Sequence, residues 1–253
     1  MSEAKSGQTR GKLRKAKLNP GLSFVLKAFG SACMLPRLPA LVALLALLAP
    51  PRVCRAAEPR NLDTAKQDIT RYIDSGDYDR DLARVAQEAE RYLTARLAEP
   101  PKPNQKLAIA FDLDETLLSN LPHMRPLGFG YVPPLWNEWV ATGTAPVIEP
   151  VARVYHLAQT KGVVIFLISD RREKDRAGTE KNLRHAALGG YAALYLKPND
   201  SPDTARVFKT AARKKITDDG YTIIANVGDQ KSDLAGDYAE KTFKLPDPFY
   251  LTE

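Results

Sequence analysis

Four aspartates stand just past the ends of two almost wholly apolar runs. The first run, Leu107–Phe111 (LAIAF), leads straight into Asp112-Leu113-Asp114-Glu115-Thr116. The second, Thr222–Val227 (TIIANV), leads into Gly228-Asp229-Gln230-Lys231-Ser232-Asp233. Another apolar run, Val163–Ile168 (VVIFLI), ends in Ser169-Asp170-Arg171. Carboxylates gathered at one rim repel each other unless a cation lies between them. Oxygen donors, with no cysteine nearby and few histidines, select a hard cation, so Mg²⁺ is expected. Taken singly, each Asp or Ser has a plainer reading as the cap of a following helix. Taken together, Asp112, Asp114, Asp229 and Asp233 repeat one placement after buried-type runs, and capping does not account for the set.

Runs without polar alternation suit strands covered on both faces, as in a parallel sheet between helices. Ala192–Leu196 (AALYL) is a further such run, and helical stretches over about 149–160, 173–187 and 210–218 separate them. Strand and helix alternate, so the body is α/β with a doubly wound parallel sheet. In such sheets ligands bind beyond the carboxyl ends of the strands, where these acids lie. Residues 119–146 break the rhythm: they are rich in Pro, Gly and aromatics and read as an insertion lying over the end of the first strand. Upstream, apolar residues at spacings of three and four predict two helices over 62–98, broken at Ser75-Gly76-Asp77. Pro100-Pro101-Lys102-Pro103 is a stiff linker. The plan is therefore a leader over 1–56, N-terminal helices over 57–104, and the body over 105–253.

These residues together carry a family resemblance. Asp112-Leu113-Asp114-Glu115-Thr116 resembles the DxDxT nucleophile motif of the haloacid dehalogenase (HAD) superfamily. Ser169 resembles its second motif, a Ser or Thr ending a strand, and Lys209 its third-motif lysine. Gly228-Asp229-Gln230-Lys231-Ser232-Asp233 resembles its GDxxxD motif. Trp136-Asn137-Glu138-Trp139-Val140 and the ending Phe243–Tyr250 are similar to one branch, subfamily IIIB. That branch holds bacterial class C acid phosphatases and plant vegetative storage proteins. The resemblance spans Leu62 to Tyr250 and implies a HAD-like Rossmannoid fold.

The resemblance also implies roles. Asp112 is the expected nucleophile, forming an aspartyl-phosphate with a small phosphomonoester, and Asp114 the acid and then the base. Mg²⁺ is expected on the Asp112 carboxylate, the Asp114 main-chain carbonyl and Asp229, with Asp233 orienting metal waters or Lys209. Ser169 and Lys209 are expected on the phosphoryl oxygens. Lys209 should then lie where a helix starts near Thr210, pointing at Asp112. A dehalogenase would need only the first Asp, and Asp114 argues against that reading. A non-catalytic phosphate-binding or storage protein is the alternative. Where the family has Thr-Gly-Arg or Ser-Asn-Arg, this chain has Ser169-Asp170-Arg171. Asp170 beside a bound phosphate must turn away or pair with Arg171 or Arg172.

The 253 residues carry a formal net charge of +7, but residues 1–57 alone hold ten basic side chains against Glu3. The remainder is slightly acidic, which argues against a nucleic-acid polymer as partner. Cys33 and Cys54 lie in that same segment, so the body is neither a disulfide scaffold nor a Cys-ligated zinc domain. Leu38–Ala49 is too short to span a membrane. With basic residues before it and Pro50-Pro51 and Cys54-Arg55-Ala56-Ala57 after it, the run reads as a signal peptide cleaved after Ala56. A start at Met34 would give a compact leader from Met34 to Ala56, and the mature protein is expected to be periplasmic or secreted. His123, His156 and His185 have no metal-ligand spacing and read as structural or solvated. Tyr131, Trp136 and Trp139 read equally as a stacking surface or as the insertion's core. Arg213-Lys214-Lys215 reads as a solvated helix face.

Overall fold

The structure, a computed structural model, describes residues 58–100 and 102–253. The expected leader, its cleavage point, Met34 and both cysteines lie outside the described residues. Two helices come first: α1 (Leu62–Asp74) and α2 (Asp77–Ala98). The Asn61 side chain caps α1 by accepting from the amides of Asp63 and Thr64 at 2.9 and 3.3 Å. Gly76, at φ 75°, supplies the left-handed turn between the helices that a side chain would resist. Along α2, Leu82, Val85, Ala86, Ala89 and Leu93 form the buried stripe.

The sheet has five parallel strands in the order β3-β2-β1-β4-β5. They are β1 (Lys106–Phe111), β2 (Val164–Arg172), β3 (Ala193–Lys197), β4 (Tyr221–Gly228) and β5 (Lys241–Lys244). Side chains alternate across it. Ile109, Phe111, Ile165 and Leu167 enter the larger core, with α2 and with α5 (Glu149–Thr160). Ala108, Ala110, Phe166 and Ile168 enter the smaller one, against Ala212 and Ile216 of α7 (Ala205–Asp218). Helices on both faces explain why the strands read as continuous apolar runs. The edge strand β5 buries only Phe243 and went unread for that reason.

Between Leu118 and Val147 the chain makes an excursion, its two ends tied by Ser119 N donating to Pro146 O at 2.8 Å. It carries α3 (Leu121–Met124) and α4 (Pro133–Thr142). The stretch after β2 is a 3₁₀ turn, Glu173–Asp175, and then α6 (Arg176–His185); α8 (Lys231–Leu234) follows β4. No helix among the described residues is long and apolar enough to cross a membrane.

Two readings of α7 are corrected. It starts at Ala205, not near Thr210, because the Thr204 hydroxyl caps it by accepting from Val207 N at 3.3 Å. Arg213 is not solvated: it is 1% exposed and donates to Asp233 O at 2.5 Å and to Ala235 O. Only Lys214 and Lys215 face water.

Candidate active site

Asp112 follows the last residue of β1 and stays in the sheet, its amide donating to Val227 O at 3.0 Å. Lys209, in the second turn of α7, crosses from the smaller core to the rim. Its Nζ donates to Asp112 Oδ1 at 2.5 Å and to Asp233 Oδ1 at 2.6 Å. The helix start proposed from sequence was wrong, yet the lysine reaches the same carboxylate. Asp233 Oδ2 accepts from Gln230 N at 2.7 Å, which folds the loop after β4 back on itself. Gly228 leaves room for this: a Cβ there would come within 2.5 Å of Asp233 Oδ2. Thr116 Oγ1 ties the two acidic loops by donating to Asp229 Oδ1 at 2.9 Å, and Gln230 Nε2 donates to Asp229 Oδ2 at 2.7 Å.

Asp114 faces the same space but belongs to another charge group. Arg171 Nη2 donates to its Oδ1 at 2.7 Å, and Arg171 Nε is shared between the two oxygens at 3.1 Å. Burial raises the Asp114 carboxyl, but Arg171 outweighs it and holds the group below its ordinary value. Burial pushes Asp112 up to about 7, with Lys209 opposing and Asp233 and Asp114 adding to the rise. Burial also raises Asp229 far above the usual carboxylate range.

Ser169 is fully buried and lies within β2 instead of ending it, because the strand runs on to Arg172 past a register shift. Its Oγ accepts from Arg171 N at 3.2 Å. Asp170 pairs with neither Arg171 nor Arg172. Arg171 is taken by Asp114, Arg172 Nη1 donates to Pro198 O at 2.8 Å, and Asp170 lies 2.9 Å from Lys197 Nζ.

Asp112, Asp114, Arg171, Lys209, Asp229 and Asp233 line a cavity of about 620 Å³, with Ser169 buried behind its lining, and part of its wall comes from the excursion, through His123, Tyr131 and Trp136. The three aromatics weighed from sequence therefore part ways. Tyr131, 70% exposed, and Trp136 face the cavity. Trp139 turns to the protein, its Nε1 donating to Asn120 Oδ1 at 2.8 Å and its ring stacked on His123. His123 thus also belongs to the site, while His185 Nδ1 contacts Gly143 O at 2.9 Å, away from it.

Several residues at the site went unread. Asn120 and Tyr250 carry no spacing signal; both engage Glu115, Tyr250 through its hydroxyl at 2.8 Å. Burial, and then the charge of Asp114, push Glu115 up to about 8. Arg171, read from sequence only as a possible partner for Asp170, stands two residues past Ser169, and a cation at that place was the available hint of its role at the site.

Asp112, Asp229 and Asp233 each offer a carboxylate oxygen within 4.8 Å of the others, and all three are buried. One lysine faces this trio. An all-oxygen, over-acidic donor set of that kind suits a hard divalent cation. The Asp114 side chain is outside the trio, committed to Arg171.

Residues 52–253 match the family described as HAD superfamily, subfamily IIIB (acid phosphatase). The stem 28 kDa glycoprotein of Glycine max is 36% identical over 72% of this chain and 72% of its own length. Acid phosphatase 1 of Solanum lycopersicum is 33% identical, again over 72% of both chains. Vegetative storage protein 1 of Arabidopsis thaliana is 32% identical over 75% of this chain and 73% of its own. In three dimensions the class C acid phosphatase from Bacillus anthracis shares the fold, with a TM-score of 0.63 at 24% identity over 75% of this chain and 86% of that one.

Proposed function

Because the chain belongs to subfamily IIIB of the HAD superfamily, the acid phosphatases, and is a phosphomonoester hydrolase, we propose that it works through an aspartyl-phosphate on Asp112 with Mg²⁺ as cofactor. The observation that carries this reading is the paired arrangement at the rim. Asp112 is held by Lys209, and Asp114 stands in the same cavity under separate control by Arg171.

An Asp112 oxygen attacks phosphorus, and the bond to the leaving oxygen breaks. Asp114 gives that oxygen a proton, then takes one from the water that attacks the acyl phosphate and frees phosphate and Asp112. In the resting site Arg171 keeps Asp114 ionised, the form the second step needs. The charge of an arriving phosphate raises its proton affinity, so that it takes up a proton from solvent and can donate it in the first step. Lys209 and Ser169 offset charge on the phosphoryl oxygens. Asp112, Asp229 and the Asp114 main-chain carbonyl would hold Mg²⁺, with Asp233 orienting Lys209 beside them. A bound Mg²⁺ supplies positive charge that lowers the repulsion between nucleophile and phosphate.

The domain plan is part of this reading: a leader over 1–56, helices over 57–104, and a catalytic body over 105–253 with its insertion at 119–146. Export to the periplasm or outside is supported by the basic, then apolar, N-terminal pattern, and by a relative named as a glycoprotein. A storage role is the second reading, favoured by relatives named vegetative storage proteins. Assay of 4-nitrophenyl phosphate separates the two. Hydrolysis lost in EDTA and restored by Mg²⁺ is the expected result. Phosphate binding without turnover in Mg²⁺ would favour storage.

A further inference from the structure

Asn120 sits at the base of the excursion, fully buried, and its side chain touches three groups. Its Nδ2 donates to Asp114 Oδ1 at 2.8 Å and to Glu115 Oε2 at 3.0 Å. Its Oδ1 accepts from Trp139 Nε1 at 2.8 Å. An indole N–H is only a donor, so it fixes which end of the amide faces which way. Turned over, the amide would set NH₂ against the indole N–H and its oxygen against two carboxyl groups. Trp139 is itself held by His123, the rings stacked at 5.6 Å with 16° between planes. Glu115 is held in the left-handed region at φ 54° and accepts from Asn120 N at 2.6 Å. Such backbone persists where its surroundings over-determine it.

The result is an asymmetry at Asp114. Its Oδ1 receives Arg171 Nη2, Asn120 Nδ2 and a share of Arg171 Nε, whereas Oδ2 receives only the other share of Nε. The oxygen with fewer donors is the freer one to exchange a proton.

We propose that Asn120, oriented by Trp139, is a positioning residue that engages Oδ1 of Asp114 and leaves Oδ2 to serve the leaving group. The excursion thereby reaches the chemistry through α4 as well as shaping the cavity wall. The proton moves from Oδ2 to the bridging oxygen as that oxygen's bond to phosphorus breaks and the bond from Asp112 to phosphorus forms. The inference rests on the acid–base reading of Asp114.

Leaving-group dependence tests it, because a misaligned acid hurts poor leaving groups and spares good ones. kcat/KM is measured for 4-nitrophenyl phosphate and for an alkyl phosphate in wild type, Asp114→Asn, Asn120→Ala and Trp139→Phe. Trp139→Phe keeps an aromatic ring against His123 and removes the N–H along with the smaller ring of the indole, a milder change than Asn120→Ala, so it remains informative if Asn120→Ala fails to fold. We expect Trp139→Phe to lose about tenfold on the alkyl ester, a fraction of the ~10²–10⁴ that general acid catalysis supplies. The loss on the nitrophenyl ester should be under about twofold, with KM little changed, since that step needs no acid. A leaving-group slope in Asp114→Asn but none in Trp139→Phe would overturn the inference and spare the reading of Asp114. No slope in Asp114→Asn would overturn both.

Discussion

On the outer side of α7, Lys214 reaches Asp218 at 2.7 Å and Lys215 reaches Asp219 at 2.9 Å, each pair in water. On the inner side of the same helix, Lys209 reaches two carboxylates at 2.5 and 2.6 Å, with every partner buried. Chemistry and distance are nearly the same; the surroundings are not. Outside, solvent screens the pairs and leaves them little influence. Inside, burial raises the Asp112 and Asp229 carboxyls, and Lys209 keeps its proton because Asp112 and Asp233 outweigh the penalty of burying it. Function uses the costly side of the helix, because charge that is not solvated remains available to a substrate.

Substitutions along α7 should grade accordingly. Lys209→Met is expected to have the largest effect. Turnover should fall by about 10²–10³-fold, the scale of losing one preorganised charge-stabilising donor. Stability near pH 7 should fall by about 3–5 kcal/mol, because buried acids lose their counter-charge. Kinetics and thermal unfolding with and without Mg²⁺ check both, and added Mg²⁺ should recover part of the stability. Arg213→Met comes next. It keeps volume but strips donors from the carbonyls of Asp233 and Ala235, a loss of about 1–3 kcal/mol in denaturant unfolding. Lys214→Met should leave both the midpoint of unfolding and turnover where they were. A large effect at Lys214 would break the contrast between the two sides.

That contrast also marks how far the sequence could be read. Asp112 and Asp229 were legible because each directly follows a strand whose apolar run is itself unmistakable, and Asp114 and Asp233 because they lie within a few residues of those two. Strands β1 to β4 were legible because strands covered on both faces need no polar alternation. Arg213, Lys214 and Lys215 look alike as letters, and only the loop after β4, folding back to present the Asp233 and Ala235 carbonyls, separates the first from the others. The start of α7 depends on one hydroxyl, that of Thr204, while Ser201-Pro202 offers an equally good signal nearby. Asn120 was illegible because its role comes from Trp139, nineteen residues away on α4. Asp170 was rightly flagged as a charge in need of a partner, but that partner, Lys197, comes from the neighbouring strand.

The central claim is a covalent bond between Asp112 and phosphorus, and trapping it is the most direct test. Asp112→Asn and Asp114→Asn are mixed with 4-nitrophenyl phosphate and Mg²⁺, quenched in acid and read by mass spectrometry. A nitrophenolate leaves without a proton, so Asp114→Asn should form the acyl phosphate and hold it, lacking the base that hydrolyses it. Asp112→Asn should form none, since an amide does not attack phosphorus. Equal labelling of the two variants, or label on any residue but Asp112, would contradict the account.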